Sequence, residues 1–373
     1  MAEARSCYYR RKFCEYGIDI RKARSPQDLG DFYLTPDDLR ASPETLLCGR
    51  PDLAIESSGT TGHATRIFLS HQELEYSAKQ SAVMKAVYGI SAGDRILSTF
   101  DYGFCLDGQI IQRALPFNVV MSGTPWLSRF TDVAQAEGRP FPLKLLLGGG
   151  GGGITRRTRS KIEDFWEAPL CMTYGSAEAA TVLGFECLHR DGYHLNEFDF
   201  YIEIVNPDLD GYGEVVFTTV NRKVMPLIRY RTRDIARVIN EICRCGLPLR
   251  RLSPLRGRSD EIVASVWGNV HPDFFEGILD SIPAVSDDWQ VALKEKDGKQ
   301  SFEFRLELEN GASRHDEIQS QIFTAIQKNH ALAWQGYLQG LAGIEFVFLP
   351  RGSLRKGRKL LRLVDERHVV NRQ

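Results

Sequence analysis

The sequence is short of several things that would assign it quickly. Among its 373 residues no apolar run approaches the ~18 that a membrane-spanning helix needs, so no span is expected. The opening Met1-Ala2-Glu3-Ala4-Arg5 has none of the marks of a signal peptide, and the expected location is the cytoplasm. There is no charge excess: 47 basic against 48 acidic residues give a formal net charge of -1, which recommends neither nucleic acid nor an anionic membrane as partner. No internal repeat is visible. Cysteine is sparse, and the eight present are read as thiols or metal ligands rather than disulfides in that compartment. The nucleoside-triphosphatase signature G-x-x-x-x-G-K-[ST] is also missing.

What stands in its place is Glu56-Ser57-Ser58-Gly59-Thr60-Thr61-Gly62-His63-Ala64-Thr65, directly after the apolar Leu53-Ala54-Ile55. Hydroxyls and spaced glycines let a backbone wrap a polyanion and point N–H and O–H donors at it. A plain Ser/Thr/Gly turn is the competing reading.

Composition is that of an ordinary globular protein, 43% hydrophobic and 25% charged, and the length suits two domains. Tyr8, Tyr9, Phe13 and Tyr16 are spaced for one helix face, and Thr35-Pro36 reads as a helix N-cap followed by proline in the first turn. A strand at Ile67-Phe68-Leu69, a helix from Gln72 to Tyr88 and strands at 94–100, 119–121 and 144–147 alternate as an α/β domain with a largely parallel sheet does. A helix around Gln109–Leu115 is also expected.

Six glycines, Gly148 to Gly153, follow the Leu145–Leu147 strand, and the helix Ile154–Trp166 and the strand Leu170–Tyr174 follow them. Such a run suits close backbone approach at the carboxyl end of a sheet strand, where open α/β sheets bind ligands. From Gly211 short strands dominate. After Asp260 a further helix, two strands, the helix Ser313–Asn329 and a strand at 343–348 suggest a small α+β domain.

Cys187 and His194 form C-x6-H, and some fifty residues on, Cys243-Arg244-Cys245-Gly246 forms C-x-C-G. Three thiolates and an imidazole suit a closed tetrahedral zinc site, so one structural Zn2+ per chain is expected; His189 is an alternative ligand.

Five stretches in order resemble the adenylate-forming superfamily, and within it the phenylacetate–coenzyme A ligase-like branch. They are Ser57–Gly62 as phosphate loop, Tyr174-Gly175-Ser176-Ala177-Glu178, Pro226–Asp234 as ribose motif, Gly257-Arg258-Ser259-Asp260 as hinge, and Gly268-Asn269-Val270-His271-Pro272. The resemblance implies a large domain, 1–258, with mixed and parallel sheets and a β subdomain, and a mobile α+β domain, 259–373. It implies ATP-dependent conversion of a carboxylic acid into an acyl-adenylate, with release of pyrophosphate, then transfer to coenzyme A or a carrier-protein thiol.

By the same resemblance Ser57, Ser58, Gly59, Thr60, Thr61 and Gly62 grip the triphosphate and Glu178 holds Mg2+. Tyr174, Gly175 and Ser176 line the nucleotide slot, Asp234 accepts from the ribose hydroxyls, Arg258 assists, and Asp260 is the pivot. Tyr102, Gly103, Phe104 and Asp107 with Gly149, Gly150 and Gly151 line an aryl-acid pocket, where Asp107 either recognises an amino or hydroxyl substituent or is a helix N-cap. The lysine that bridges ATP and substrate falls at Lys359, with Lys356 as competitor. Delivery to a protein cysteine or an amine, and a non-catalytic binding protein, are the alternatives; a homodimer is compatible with all of them.

The sequence departs from the family pattern in three places. The stretch from Gly108 to the glycine run is short, about 40 residues; His63 stands where many members have lysine; and Ala177 replaces a hydroxyl residue.

Overall fold

The computed structural model describes residues 5–56, 65–99, 117–138, 141–150, 154–296, 298–309, 314–355 and 360–367. The chain divides into two compact units, Met1–Gly150 with Phe165–Pro254, and Gly151–Asp164 with Leu255–Gln373.

The first unit opens with helix α1 (Cys7–Glu15), capped by Ser6, whose hydroxyl accepts from Tyr9 N. Tyr8, Tyr9 and Phe13 are buried, but Tyr16 is half exposed and touches only the edge of Phe32. Helix α2 (Pro36–Ala41) has Thr35 as N-cap and Pro36 in the first turn. Thr35 and Asp38 bond each other's backbone N–H, closing a capping box. Strands β1 (Leu53–Glu56) and β2 (Arg66–Leu69) pair antiparallel with Glu56 opposite Arg66, so an ion pair joins the two strand ends that flank the Ser/Thr/Gly stretch. Helix α3 (His71–Val87) follows directly. Its apolar residues do not gather on one face, and none is buried, where apolar spacing suggested a packed face.

Strands β3 (Ile96–Ser98), β4 (Val119–Gly123), β5 (Leu145–Gly149) and β6 (Leu170–Gly175) run parallel as neighbours. Val119, Val120 and Leu145–Leu147 are buried, as expected of strands covered on both faces. Beyond β6 the sheet turns antiparallel through β7 (Val182–Glu186) and β8 (Tyr193–Leu195) to the short β12 (Val238–Ile239) and β13 (Arg251–Leu252), giving the order β12-β13-β8-β7-β6-β5-β4-β3. Helix α4 (Thr124–Glu137), which sequence reading passed over, and the C-terminal end of helix α5 (Arg156–Trp166) meet where Trp166 donates to Thr131. A second, antiparallel sheet holds β9 (Phe200–Val205), β10 (Gly213–Thr219) and β11 (Tyr230–Ala236).

In the second unit β14 (Gly257–Arg258) leads to the hairpin β15 (Val263–Ser265) and β16 (Gly268–Val270), then helix α6 (Pro272–Leu279). Strands β17 (Val285–Lys296), β18 (Lys299–Leu308), β19 (Ala342–Leu349) and β20 (Leu363–Asp365) form a mixed sheet ordered β19-β18-β17-β20. Helices α7 (His315–Asn329) and α8 (Ala331–Leu338) complete it. Phe275, Phe302, Phe304, Ile318, Ile322 and Ile326 form its core. The fold is thus α/β with mixed and parallel sheets plus an α+β unit. Among the described residues no helix is long and apolar enough to cross a membrane.

Candidate nucleotide and metal sites

Of the residues singled out in sequence, Ser57, Ser58, Gly59, Thr60, Thr61, Gly62, His63, Tyr102, Gly103, Phe104, Asp107, Gly151, Lys356 and Lys359 lie outside the described residues, as does the helix expected around Gln109–Leu115. The structure places the rest.

Tyr174 and Asp234, 60 positions apart, meet: Tyr174 donates its hydroxyl to Asp234 Oδ2 at 2.7 Å. Each is delivered by strand irregularity. Tyr174 is near the carboxyl end of parallel β6, the end at which open sheets bind ligands. Asp234 sits in a bulge, because β10 and β11 pair at Glu214↔Ile235 and again at Val216↔Arg231, leaving three residues of β11 against one of β10. Arg233 takes a left-handed conformation there (φ 68°), which a non-glycine residue adopts at a cost of about 1 kcal/mol. Side chains hold the bulge open. Thr232 donates its hydroxyl to Val215 O (2.7 Å) and accepts from Asp234 N (3.0 Å), while Arg233 N donates to the Glu214 carboxylate at 2.9 Å.

Upstream in the same motif Arg229 is buried and donates to the Glu203 carboxylate (3.1 Å), with its guanidinium 4.2 Å above the Tyr33 ring. This pair fastens the β9–β10–β11 sheet to the N-terminal segment. Burial pushes the Glu203 carboxyl up, and Arg229 opposes that.

The glycine run serves packing as well as access. A Cβ on Gly148 would collide with the Met172 sulfur on the neighbouring β6, and Thr173 donates to Gly148 O at 3.1 Å, so glycine lets two parallel strands close. Gly149 ends β5 buried, and Gly150 follows with a positive φ of 70°. In the turn after β6, Ser176 Oγ accepts from Ala179 N and Ala180 N donates to Ala177 O, with Ala180 left-handed (φ 55°). Glu178 rides on this turn. In the second unit Arg258 pairs with Asp260 at 2.9 Å.

The sulfur and imidazole ligands of the second motif also converge. Cys187 Sγ lies 3.7 Å from Cys243 Sγ, and Cys245 Sγ lies 3.3 Å from His194 Nε2. All four ligand atoms fall within 4.8 Å of one another. Zinc bonds of about 2.3 Å to sulfur and 2.0 Å to nitrogen give tetrahedral edges of about 3.8 Å between sulfurs and 3.5 Å between sulfur and nitrogen, so the donor set fits that ion. Cys187 follows β7, His194 lies in β8, and the C-x-C loop joins β12 to β13, so the cluster clamps the antiparallel end of the large sheet. Burial and the nearby Arg251 cation lower the His194 pKa, which favours the neutral imidazole a metal requires. Gly192, in the turn between the first two ligands, has φ 86° and a Cα hydrogen pointing at Leu252 O where a side chain would clash with backbone. His189 is not among the four.

No protein-family model matches the sequence. Comparison with characterised proteins finds phenylacetate–coenzyme A ligases: that of Pseudomonas putida is 27% identical over 355 residues, covering 84% of this chain and 80% of its own. That of Thermus thermophilus is 27% identical over 409 aligned positions, covering 96% and 92%. The chain is a homologue of the phenylacetate–coenzyme A ligases. Its fold agrees. This ligase homologue superposes on 2-hydroxyisobutyryl-CoA ligase, in complex with an acyl-AMP, with a TM-score of 0.82 at 18% identity, over 99% of this chain and 87% of that one. On O-succinylbenzoate coenzyme A synthetase of Bacillus subtilis in complex with AMP the TM-score is 0.56, again at 18% identity.

Sequence reading gave no role to Thr232, Glu214 or Glu203: the two glutamates lie in no motif, and Thr232 lies inside Pro226–Asp234 without a role assigned to it. An acidic residue in a strand otherwise built to be buried, such as Glu203 in Phe200–Val205 or Glu214 in Gly213–Thr219, is the signal that could have flagged them.

Proposed function

We propose that the protein activates a carboxylic acid with ATP, forming an acyl-adenylate and pyrophosphate, and passes the acyl group to the thiol of coenzyme A. The observation that carries this reading is the Tyr174–Asp234 contact, made from two motifs of one nucleotide site at the carboxyl end of the parallel strands. The similarity to coenzyme A ligases over most of both chains supports the reaction class.

Asp234 is assigned to the ribose hydroxyls, and Tyr174, Gly175 and Ser176 to the walls of the nucleotide slot. Tyr174 orients the carboxylate through its own hydrogen bond. The acid oxygen attacks the α-phosphorus and the bond to the bridging oxygen of pyrophosphate breaks, so negative charge grows on the phosphoryl oxygens. Ser58, Thr60, Thr61 and the loop N–H groups are assigned as donors to them, Lys359 as the mobile cation, and Arg258 as an auxiliary one. Glu178 would hold Mg2+, which supplies positive charge to the phosphates. Asp260 would be the pivot between the two half-reactions, and domains 1–258 and 259–373 the bodies that it joins.

The acid is assigned to the aryl class on Tyr102, Gly103, Phe104 and Asp107 with Gly149, Gly150 and Gly151. Cys187, His194, Cys243 and Cys245 are assigned to a structural zinc, which would tie the two ligand loops together. A carrier-protein thiol, and a homodimer, remain part of the proposal.

The test is pyrophosphate release that requires both ATP and an acid, with the mass of the product formed on adding coenzyme A. A coenzyme A thioester is expected; no release with any acid of an aryl and short-acyl panel would overturn the reading in favour of a binding protein. Within it, D234N is expected to weaken ATP binding roughly 10–100-fold, since a neutral amide replaces a charge-assisted acceptor. Titration calorimetry checks this, and unchanged affinity would remove Asp234 from the ribose site.

A further inference from the structure

The guanidinium of Arg222 has no place in the chemistry above, yet it reaches into the turn that carries Glu178. It donates through Nη1 to Glu178 O at 2.7 Å and through Nη2 to Ala179 O. Burial pulls its pKa down to about 10, with the carboxylates of Glu73 and Asp199 acting the other way. It lines a small cavity together with Glu73, Tyr76 and Asp199.

Glu73 links this cation to the phosphate-loop hairpin. It stands in the first turn of α3, which starts as β2 ends, and its carboxylate accepts from Ser70 N at 2.7 Å. The same carboxylate accepts from Lys223 N (2.5 Å) and Val224 N (3.0 Å), the two residues after Arg222. Burial alone would raise the Glu73 pKa; these backbone donors more than offset it and hold it below the usual carboxylate range. Arg229 lies five residues beyond Val224, and Asp234 five beyond Arg229. The path from hairpin to turn is therefore continuous: β2, Ser70, Glu73, the 222–224 backbone, Arg222, and the carbonyls of Glu178 and Ala179.

The turn needs this support. Ala180 is left-handed, a conformation that an alanine keeps only when its surroundings hold it, and the carbonyls of the two residues before it are bonded by Arg222. A guanidinium can bond two successive carbonyls with one rigid fork, which an ammonium cannot.

We infer that Arg222 is a positioning residue: with Glu73 it fixes the Glu178 turn against the phosphate-loop hairpin, and so sets the affinity of the nucleotide site for Mg2+. This rests on the assignment of Mg2+ to Glu178.

The test is titration calorimetry of ATP with and without Mg2+, with the Mg2+ dependence of pyrophosphate release alongside, for wild type, R222M and R222K. R222M is expected to need roughly tenfold more Mg2+, in line with other residues that orient a metal ligand, while binding metal-free ATP as wild type does. R222K is expected to shift the same dependence by a smaller factor, and it carries the test if R222M does not fold. Wild-type Mg2+ dependence in a folded variant, or equal losses with and without Mg2+, would overturn the role given to Arg222. Wild-type protein whose ATP binding is indifferent to Mg2+ would instead overturn the assignment of Glu178, and the inference with it.

Discussion

Replacing Cys243 with serine is expected to release the zinc and to lower stability by roughly 4 kcal/mol, on the order of 10 °C in melting temperature. Serine's neutral hydroxyl is a poor zinc ligand, and the three remaining donors are held by two separate loops whose closure the ion would supply. The clamp is local but not peripheral. It sits on the β7–β8 and β12–β13 hairpins, which share a sheet with β6, the strand that carries Tyr174 near its end. Loosening that edge is therefore expected to weaken ATP binding a few-fold as well. Elemental analysis of protein purified without added metal checks the premise, with one equivalent of zinc in the wild type and well under one in C243S. Metal-free wild-type protein that melts like C243S would remove zinc from the account.

The second large effect is expected at Lys359. The resemblance puts His63 where many members of the family have lysine, so the proposed phosphate loop would lack one fixed positive charge. The cation that meets the developing phosphoryl charge must come from elsewhere, and the resemblance puts it at Lys359 in the C-terminal segment. K359A is expected to lower the rate of pyrophosphate release by roughly 10²–10³-fold, the scale on which removing one preorganised donor from a transition state acts. ATP binding should stay measurable, because Asp234, Tyr174 and the loop hold the ground state. Single-turnover pyrophosphate release and equilibrium binding on the same variant separate the two. Loss of binding itself, or undiminished turnover, would contradict this division of labour; a loss in K356A instead would move the role to the neighbouring lysine.

Much of the fold could be read from sequence because its local rules agree. The apolar runs at 119–121 and 144–147 are long enough only for buried strands, and Thr35-Pro36 states a helix start in two residues. Where the rules were silent the reading failed. Helix α4 begins at Thr124-Pro125, a start signal like that at Thr35-Pro36, but its aromatic residues gave no clean periodicity against the neighbouring strand. Helix α3 was legible as a helix yet not as an exposed one, since burial depends on what packs against it. The metal cluster was legible from spacing, and the convergence of Cys187, His194, Cys243 and Cys245 agrees with it.

Tyr174 and Asp234 could be singled out in sequence because each lies in a short motif, and the structure brings the two together. The side chains that support them could not. Nothing local to Thr232 says that its hydroxyl closes a bulge, and nothing local to Glu73 says that its carboxylate accepts from Lys223 N across 150 positions of chain. Such contacts are set by sheet register and loop closure, which a single sequence does not write down.

The most direct measurement of the central claim is hydroxamate trapping across a panel of aryl and short-chain acids with ATP and Mg2+. Hydroxylamine intercepts an activated acyl group whatever its natural acceptor. The account predicts hydroxamate from at least one aryl acid, dependent on ATP, lost in K359A and restored to wild-type levels in no D234N preparation at low ATP. Absence of hydroxamate from every acid, in protein that binds ATP and carries its zinc, would contradict it.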